Sequence, residues 1–204
     1  MKIVFSLLLN KLKKLNVTIT YNFPNSRIKY FFGYGKGMLK ISKYFKVQSN
    51  QSVTQKIKKV KVYTTCEIDN AKFNLEFYNS HKSGHPNLKI YDEDIIGLAE
   101  NGNNQTIIDV GHLDIEFPTR GLFVVIEWLM LEENKFEFSY RKRGVGKKLI
   151  ATTIDPAIGA YPSDILDTFI YDGEKWQEVK NSKSIIKSYD YKYRNLAIEL
   201  ELSD

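Results

Sequence analysis

Along most of the chain, apolar and polar residues alternate with a period of two, the mark of β-strands with one buried face. In Phe73-Asn-Leu-Glu-Phe77 the apolar Phe73, Leu75 and Phe77 interleave with Asn74 and Glu76. Lys56 to Thr64 puts Val60, Val62 and Thr64 on one side and Lys59, Lys61 and Tyr63 on the other. Further strands are expected at 17–21, 105–110, 136–140, 167–171 and 196–202. Asn101-Gly102-Asn103-Asn104 marks a turn, and Asp172-Gly173 between two β-rich runs marks a hairpin.

One run breaks the alternation. Leu122 to Leu131 reads LFVVIEWLML, apolar on both faces, which predicts a central strand covered on both sides. Glu127 is the exception within it. On a strand it shares a face with Phe123, Val125 and Leu129. An unpaired carboxylate in such a layer is costly, so Glu127 is expected to be a buried polar residue held by a donor. Tyr140, Arg141 and Arg143 are the nearest donors along the chain. On this reading Glu127→Leu strands its partner and costs on the order of 1–3 kcal/mol.

Helical spacing is confined to the N-terminus, where Val4, Leu8, Leu12 and Leu15 fall on one side of a short amphipathic helix. The start imitates a signal peptide. However, no small-residue cleavage site follows, Lys11, Lys13 and Lys14 come early, and the run is too short to span a bilayer. Such a helix either docks on the fold or touches a membrane surface. Residues 22–37, with Gly33, Gly35 and Gly37, read as an irregular lead-in. The expected fold is therefore an all-β, antiparallel sandwich of jelly-roll type. Residues 1–37 would form a basic extension and 38–204 the sandwich domain.

Composition adds little to this picture and charge adds more. The 204 residues are 43% apolar, 26% charged and 13% aromatic, as in a globular domain. One cysteine, Cys66, excludes an internal disulfide and a cysteine-built zinc site, and its β-rich surroundings suggest a buried small hydrophobe. Residues 1–66 hold 13 Lys, 1 Arg and no acidic residue; the remainder hold 16 basic and 24 acidic residues. The net charge of +6 thus divides into +14 and −8. The lysines are mostly single and interleaved with apolar residues, which fits the solvent face of a strand. A binding face for a polyanion is the alternative, although one arginine in 66 residues argues against specific nucleic-acid recognition.

Candidate chemistry is sparse. Arg141-Lys-Arg-Gly144-Val-Gly146 fits the R-x-x-G-x-G pattern of the GNAT acetyltransferases, whose glycines bring backbone N–H groups to the acetyl-CoA pyrophosphate. The following Ala151-Thr-Thr-Ile-Asp-Pro156 leaves little room for the helix that the pattern requires, and a basic hairpin turn is the competing reading. His81 and His85 are four apart but flank Gly84, in a loop. Asp92, Glu93 and Asp94 form an acidic turn without the spacing of a calcium loop. No nucleophile–base arrangement stands out, and no cofactor or metal is implied. Exposed aromatics remain: Tyr161, Tyr171, Trp176, Tyr189, Tyr191 and Tyr193 are the candidate ligand-binding residues. Within SYDYKYR the last three share one face of an expected strand.

The order of KISKYFKV, IKKVKVYT, AKFNLEFYN, HPNLKIYDEDI, TIIDVGHLDIEFPTRGLFVVIEWL, DPAIGAYPS and YDGEKW resembles a β-sandwich module of Bacteroidetes envelope proteins. Such modules often follow a carboxypeptidase-regulatory-like domain. The resemblance covers roughly two-thirds of the chain and implies an all-β accessory or binding module at the cell envelope, with no established enzymatic activity to carry over. The chain is thus expected to be a non-catalytic module for a glycan or a protein ligand, possibly part of a longer protein. A GNAT-like acetyltransferase is the alternative.

Overall fold

The computed structural model describes residues 18–23, 28–35, 38–48, 55–141 and 147–203. Among these the fold is an all-β, antiparallel sandwich of two large sheets with one separate hairpin. No helix among the described residues is long and apolar enough to cross a membrane. The N-terminal helix expected around Val4 to Leu15 lies outside the described residues.

The first sheet contains β1 (Ile19–Tyr21), β2 (Tyr30–Phe32), β4 (Lys56–Cys66), β8 (Gly102–Asp109), β12 (Ala157–Ser163), β15 (Tyr193–Leu196) and β16 (Ile198–Ser203). Its order is β1-β16-β4-β12-β15, with β8 also pairing β4 and β2 also pairing β12. The second contains β3 (Lys40–Phe45), β5 (Ala71–Ser80), β6 (Pro86–Lys89), β7 (Ile95–Ala99), β9 (Leu122–Trp128), β13 (Thr168–Tyr171) and β14 (Trp176–Glu178). Its order is β14-β13-β3-β9-β5, continued by β6 and β7. The hairpin of β10 (Lys135–Arg141) and β11 (Lys148–Ile154) pairs with neither sheet.

The alternation read from the sequence places the core. Val60 and Val62 of β4 and Leu200 of β16 face Leu75 and Phe77 of β5 and Val124 and Ile126 of β9, all at 0% exposure. A fully buried Phe or Leu contributes about 1.5–3 kcal/mol relative to an exposed one, and this layer supplies much of the driving force for folding. At Gly97 of β7 a Cβ would lie 2.3 Å from the Phe73 ring, so only glycine lets that strand close on β5.

β9 lies between β3 and β5 and is covered on both faces, as its apolar run implies. On the outer side Phe123, Val125 and Phe169 form a second small core under Tyr44, Tyr78, Leu166 and Trp176. β5 is also buried on both faces: Asn74 and Glu76 are 3% and 4% exposed, where alternation implied solvent.

Several boundaries differ from the sequence reading. Residues 19–21 and 30–32 belong to the first sheet, so the part of the 1–37 extension that the structure describes is built into the sandwich. β9 stops at Trp128, and Met130 is 55% exposed. The 196–202 segment divides into β15 and β16 at Ala197, whose N–H donates to Gly159.

The charge asymmetry is resolved by strand pairing. Lys58 and Lys61 of β4 lie 3.5 and 3.7 Å from Glu201 and Glu199 of β16. The basic first third and the acidic last strand are therefore neighbours in one sheet. These lysines are a solvated strand face partnered by the chain's own carboxylates.

Candidate binding face

Strand register on the second sheet brings residues from five strands into one row on the outer face. Tyr171 lies opposite Trp176 and Lys40, Lys40 opposite Glu127, and Glu127 opposite Asn74. Residues directly opposite across antiparallel strands point to the same side. The row Trp176–Tyr171–Lys40–Glu127–Asn74 thus runs from two aromatic rings to a charged and amide group, and the Asn74 amide continues it to Asp94.

At the aromatic end the Tyr171 and Trp176 rings are 5.3 Å apart and tilted by 47°, and Tyr78 meets Trp176 edge-on at 6.1 Å. The expected hairpin at Asp172-Gly173 holds this pair. Asp172 Oδ1 accepts the backbone N–H groups of Glu174 and Lys175 at 2.9 Å each, and Gly173 takes φ +106°. These bonds keep the Asp172 carboxyl below the usual carboxylate range. Tyr171 and Trp176 are both half-exposed.

At the charged end Lys40 Nζ sits 2.8 Å from Glu76 Oε2 and 3.2 Å from Glu127 Oε1. Glu76 is also 3.2 Å from Lys89 Nζ and accepts the Tyr78 hydroxyl at 3.3 Å. Burial disfavours the Lys40 charge, but the hydrogen bond and the charge of Glu76, with Glu127, outweigh it and hold its pKa above the ordinary lysine value. Burial, reinforced by Glu76, raises the Tyr78 hydroxyl likewise.

Glu127 is thus explained by its partners. It is 31% exposed, not buried, because it sits at the outer end of β9 where the covering layer ends. Its donors are Lys40 and the Asn74 amide at 3.3 Å, from the two flanking strands. Tyr140 and Arg141, expected as partners, lie on the separate hairpin, and Arg143 is outside the described residues. Glu127→Leu is now expected to cost less than about 1 kcal/mol, because Lys40 keeps Glu76 and Asn74 keeps Asp94. A thermal melt compared with wild type checks this; a loss above about 2 kcal/mol would show that Glu76 does not satisfy Lys40 alone.

The six candidate aromatics do not form one surface. Tyr171 and Trp176 are brought together here. Tyr161 lies on the first sheet, stacked on Phe23 at 5.8 Å, beside a cleft of about 540 Å³ lined also by Tyr21, Tyr44, Gln48, Ile165 and Asp167. Tyr189 is a core residue at 0% exposure; its hydroxyl donates to Ala160 O at 2.6 Å and accepts the Lys29 N–H at 2.9 Å. SYDYKYR is not one strand. Lys187–Tyr189 is a 3-10 turn, Tyr191 is 65% exposed with φ +52°, and only Tyr193 begins β15. Lys40, Asn74, Tyr78 and Asp94 were not anticipated, because they come from different strands and only the pairing register aligns them.

Beside the cleft lies a buried cation. Lys43 points inward from β3 and is 5% exposed. Its Nζ donates to the carbonyls of Leu196 and Ile198 on the opposite sheet, at 2.9 and 3.0 Å, and to the Tyr161 hydroxyl at 3.4 Å. The rings of Tyr161, Phe45 and Phe23 lie 4.9, 5.2 and 5.8 Å from it. Burial lowers the ammonium to about 8, against the opposing charge of Asp167, whose own carboxyl is raised by burial to about 6. All three ammonium protons are engaged, so Lys43 ties the two sheets together.

The remaining motifs are structural or displaced. β11 occupies 148–154, where the acetyltransferase pattern requires a helix, and Arg141 pairs with Lys148 across a hairpin. Most of the glycine pattern itself, 142–146, is outside the described residues. His81 and His85 share Ser83 Oγ, at 2.9 and 3.1 Å, in the turn between β5 and β6. Cys66 is 3% exposed, and burial, then the charges of Asp155 and Glu67, push its thiol up to about 12.

No family model and no curated protein sequence matches the chain. Among solved structures, a variant of the Clostridial cysteine protease Cwp84 after propeptide cleavage aligns with TM-score 0.53 and 10% identity, over 91% of this chain and 40% of that one. A second structure, of the cysteine protease and lectin-like domains of Cwp84, a surface layer associated protein of Clostridium difficile, aligns with TM-score 0.45 and 15% identity, over 88% of this chain and 36% of that one. The chain therefore spans about 40% of the length of the first of these proteins, and at this identity the likeness to it is one of fold.

Proposed function

We propose that the protein is a non-catalytic binding module that takes a carbohydrate on the strip from Trp176 to Asp94. The observation that carries this reading is the register-aligned row in which an aromatic pair adjoins Lys40, Glu127 and Asn74. A pyranose has an apolar C–H face and a rim of hydroxyls. Half-exposed rings accept the first, and the partly exposed Glu127 carboxylate and Lys40 ammonium beside them, held in place by the buried Asn74 and Glu76, hydrogen-bond the second. Glu76 and Glu127 both hold Lys40, which suits them to fixing a polar surface rather than to moving a proton. On the same reading the ligand is a surface glycan, as the resemblance to envelope modules implies.

The test is a glycan array on the whole chain, followed by calorimetry on any ligand found. Trp176→Ala and Tyr171→Ala are each expected to weaken binding at least about tenfold, a loss of roughly 1.4 kcal/mol or more. Trp176 also covers the outer core, so the melting temperature of each variant is measured beside its affinity, and the loss of binding is read where the variant is fully folded. An array without a ligand, or an affinity indifferent to both changes, overturns this reading.

A further inference from the structure

The hairpin of β10 and β11 has no role in the strip, the cleft or either large sheet. Its root is fixed to the body. The Asn134 side chain makes three hydrogen bonds there, to the backbone of Lys72 and to Leu129 O. On the returning strand Ile154 is 4% exposed, and Asp155 Oδ2 accepts the Glu67 N–H at 2.7 Å. From this root two seven-residue strands run outward, paired only with each other.

One face of this arm is apolar. Phe136, Phe138 and Tyr140 lie opposite Thr153, Ala151 and Leu149, so all six point to one side. The rings form a ladder, with centroids 6.4 Å apart between Phe136 and Phe138 and 6.0 Å between Phe138 and Tyr140. Phe138 and Tyr140 are 41% and 44% exposed, and Ile150 on the other face is 73% exposed. The outer end is cationic: Arg141, Lys147 and Lys148 are exposed. Between 135 and 154 the sequence has six basic residues and one acid, Glu137.

We propose that this arm docks the protein on an anionic lipid bilayer, with Phe138, Tyr140 and Ile150 entering the interface and Arg141, Lys147 and Lys148 meeting the headgroups. Aromatic and aliphatic side chains beside a basic end match the two components of such a surface, its acyl boundary and its negative potential. Immersion explains why apolar side chains are exposed on both faces of the hairpin. Pairing with a second copy of the arm would bring like charges together, and a two-stranded ribbon offers too little area for a stable dimer. Single-stranded nucleic acid would use the rings and the charge but leaves Ile150 and Leu149 without a role. The inference does not depend on the glycan reading.

The experiment uses the whole chain and vesicles of phosphatidylcholine, with and without about one-third phosphatidylserine. Phe138→Trp is the reporter, against the constant signal of Trp128 and Trp176. Its emission is expected to shift to the blue and to be quenched by brominated lipid in the anionic vesicles only. Phe138→Ser combined with Ile150→Ser should reduce vesicle binding about tenfold at an unchanged melting temperature, since neither residue is in the core. Arg141→Glu and Lys148→Glu should each reduce it about fivefold or more, with the loss shrinking at high salt. An unchanged Phe138→Trp spectrum, or vesicle binding indifferent to the serine changes, overturns the proposal. So does a solution dimer that dissociates on Phe138→Ser, or an oligonucleotide that binds through the same residues in preference to vesicles.

Discussion

Lys43→Met should lower the stability of the protein by roughly 3 kcal/mol at pH 7.5, one of the largest losses expected from a single substitution. Methionine matches the lysine side chain as far as Cε, so little packing volume is lost. The change leaves the Leu196 and Ile198 carbonyls without their shared donor and removes the cation facing Asp167. For a chain of this size the melting temperature should fall by about 6–12 °C.

The effect has a definite dependence on pH. Asp167 has a folded-state pKa of about 6, above its ordinary value of 3.8. A carboxyl raised on folding contributes stability that is fully present below 3.8 and is lost as pH rises through about 6. Lys43 is lowered to about 8, so its protonation opposes folding below that pH and the cost is relieved as pH rises from about 8 to 10.5. In wild type the two charges coexist between about 6 and 8 and offset each other's burial. Without Lys43 the carboxylate is unpaired in that window. The gap between wild type and Lys43→Met should therefore widen from pH 5 to pH 7.5, as measured by denaturant unfolding at each pH. A gap that narrows over this range would show that Asp167 is not the partner of Lys43.

Asn134→Ala is expected to cost about 3 kcal/mol. Asn134 is 0% exposed, and its side chain satisfies three backbone groups: Oδ1 accepts the Lys72 N–H, and Nδ2 donates to Lys72 O and Leu129 O. Each buried group left unpaired costs about 1–3 kcal/mol, and partial rehydration lowers the sum. Asn134→Asp is the informative companion. It keeps the acceptor but faces two carbonyl oxygens with a carboxylate, so it should be worse than alanine at neutral pH and recover in acid. If Asn134→Ala loses less than about 1 kcal/mol in chemical denaturation, water replaces the side chain and the staple account fails.

These two residues show where sequence reading stops. Asn134 stands in the polar run Glu132-Glu133-Asn134-Lys135, which reads as a surface turn, and nothing local reveals that its amide faces inward. Lys43 was one of thirteen lysines in the basic first third, and the alternation of KISKYF does not distinguish an inward lysine from an outward one. Period-two patterning did locate β4, β5, β8, β10 and β13, because side-chain facing is a local property, and a run apolar on both faces located β9. It missed β12, whose Gly159 and Pro162 look like turn residues. There Gly159 allows close approach, since a Cβ would meet Tyr63 at 2.9 Å. The proposed binding strip was legible only in part. Tyr171 and Trp176 stood out as aromatics flanking a hairpin turn, whereas Lys40, Asn74 and Asp94 join them through long-range register.

The position of β16 sets when this protein can fold. This strand, the last among the described residues, is inserted between β1 and β4 and buries Ile198, Leu200 and Leu202 completely. Until residues 198–203 are available, β1 lacks its neighbour among the described strands, and Lys58 and Lys61 lack Glu201 and Glu199. During synthesis the first sheet therefore stays open along β4 until nearly all of this sequence has left the ribosome. A chain released before that point would present an unpaired β4 edge to its neighbours, the geometry that leads to intermolecular pairing.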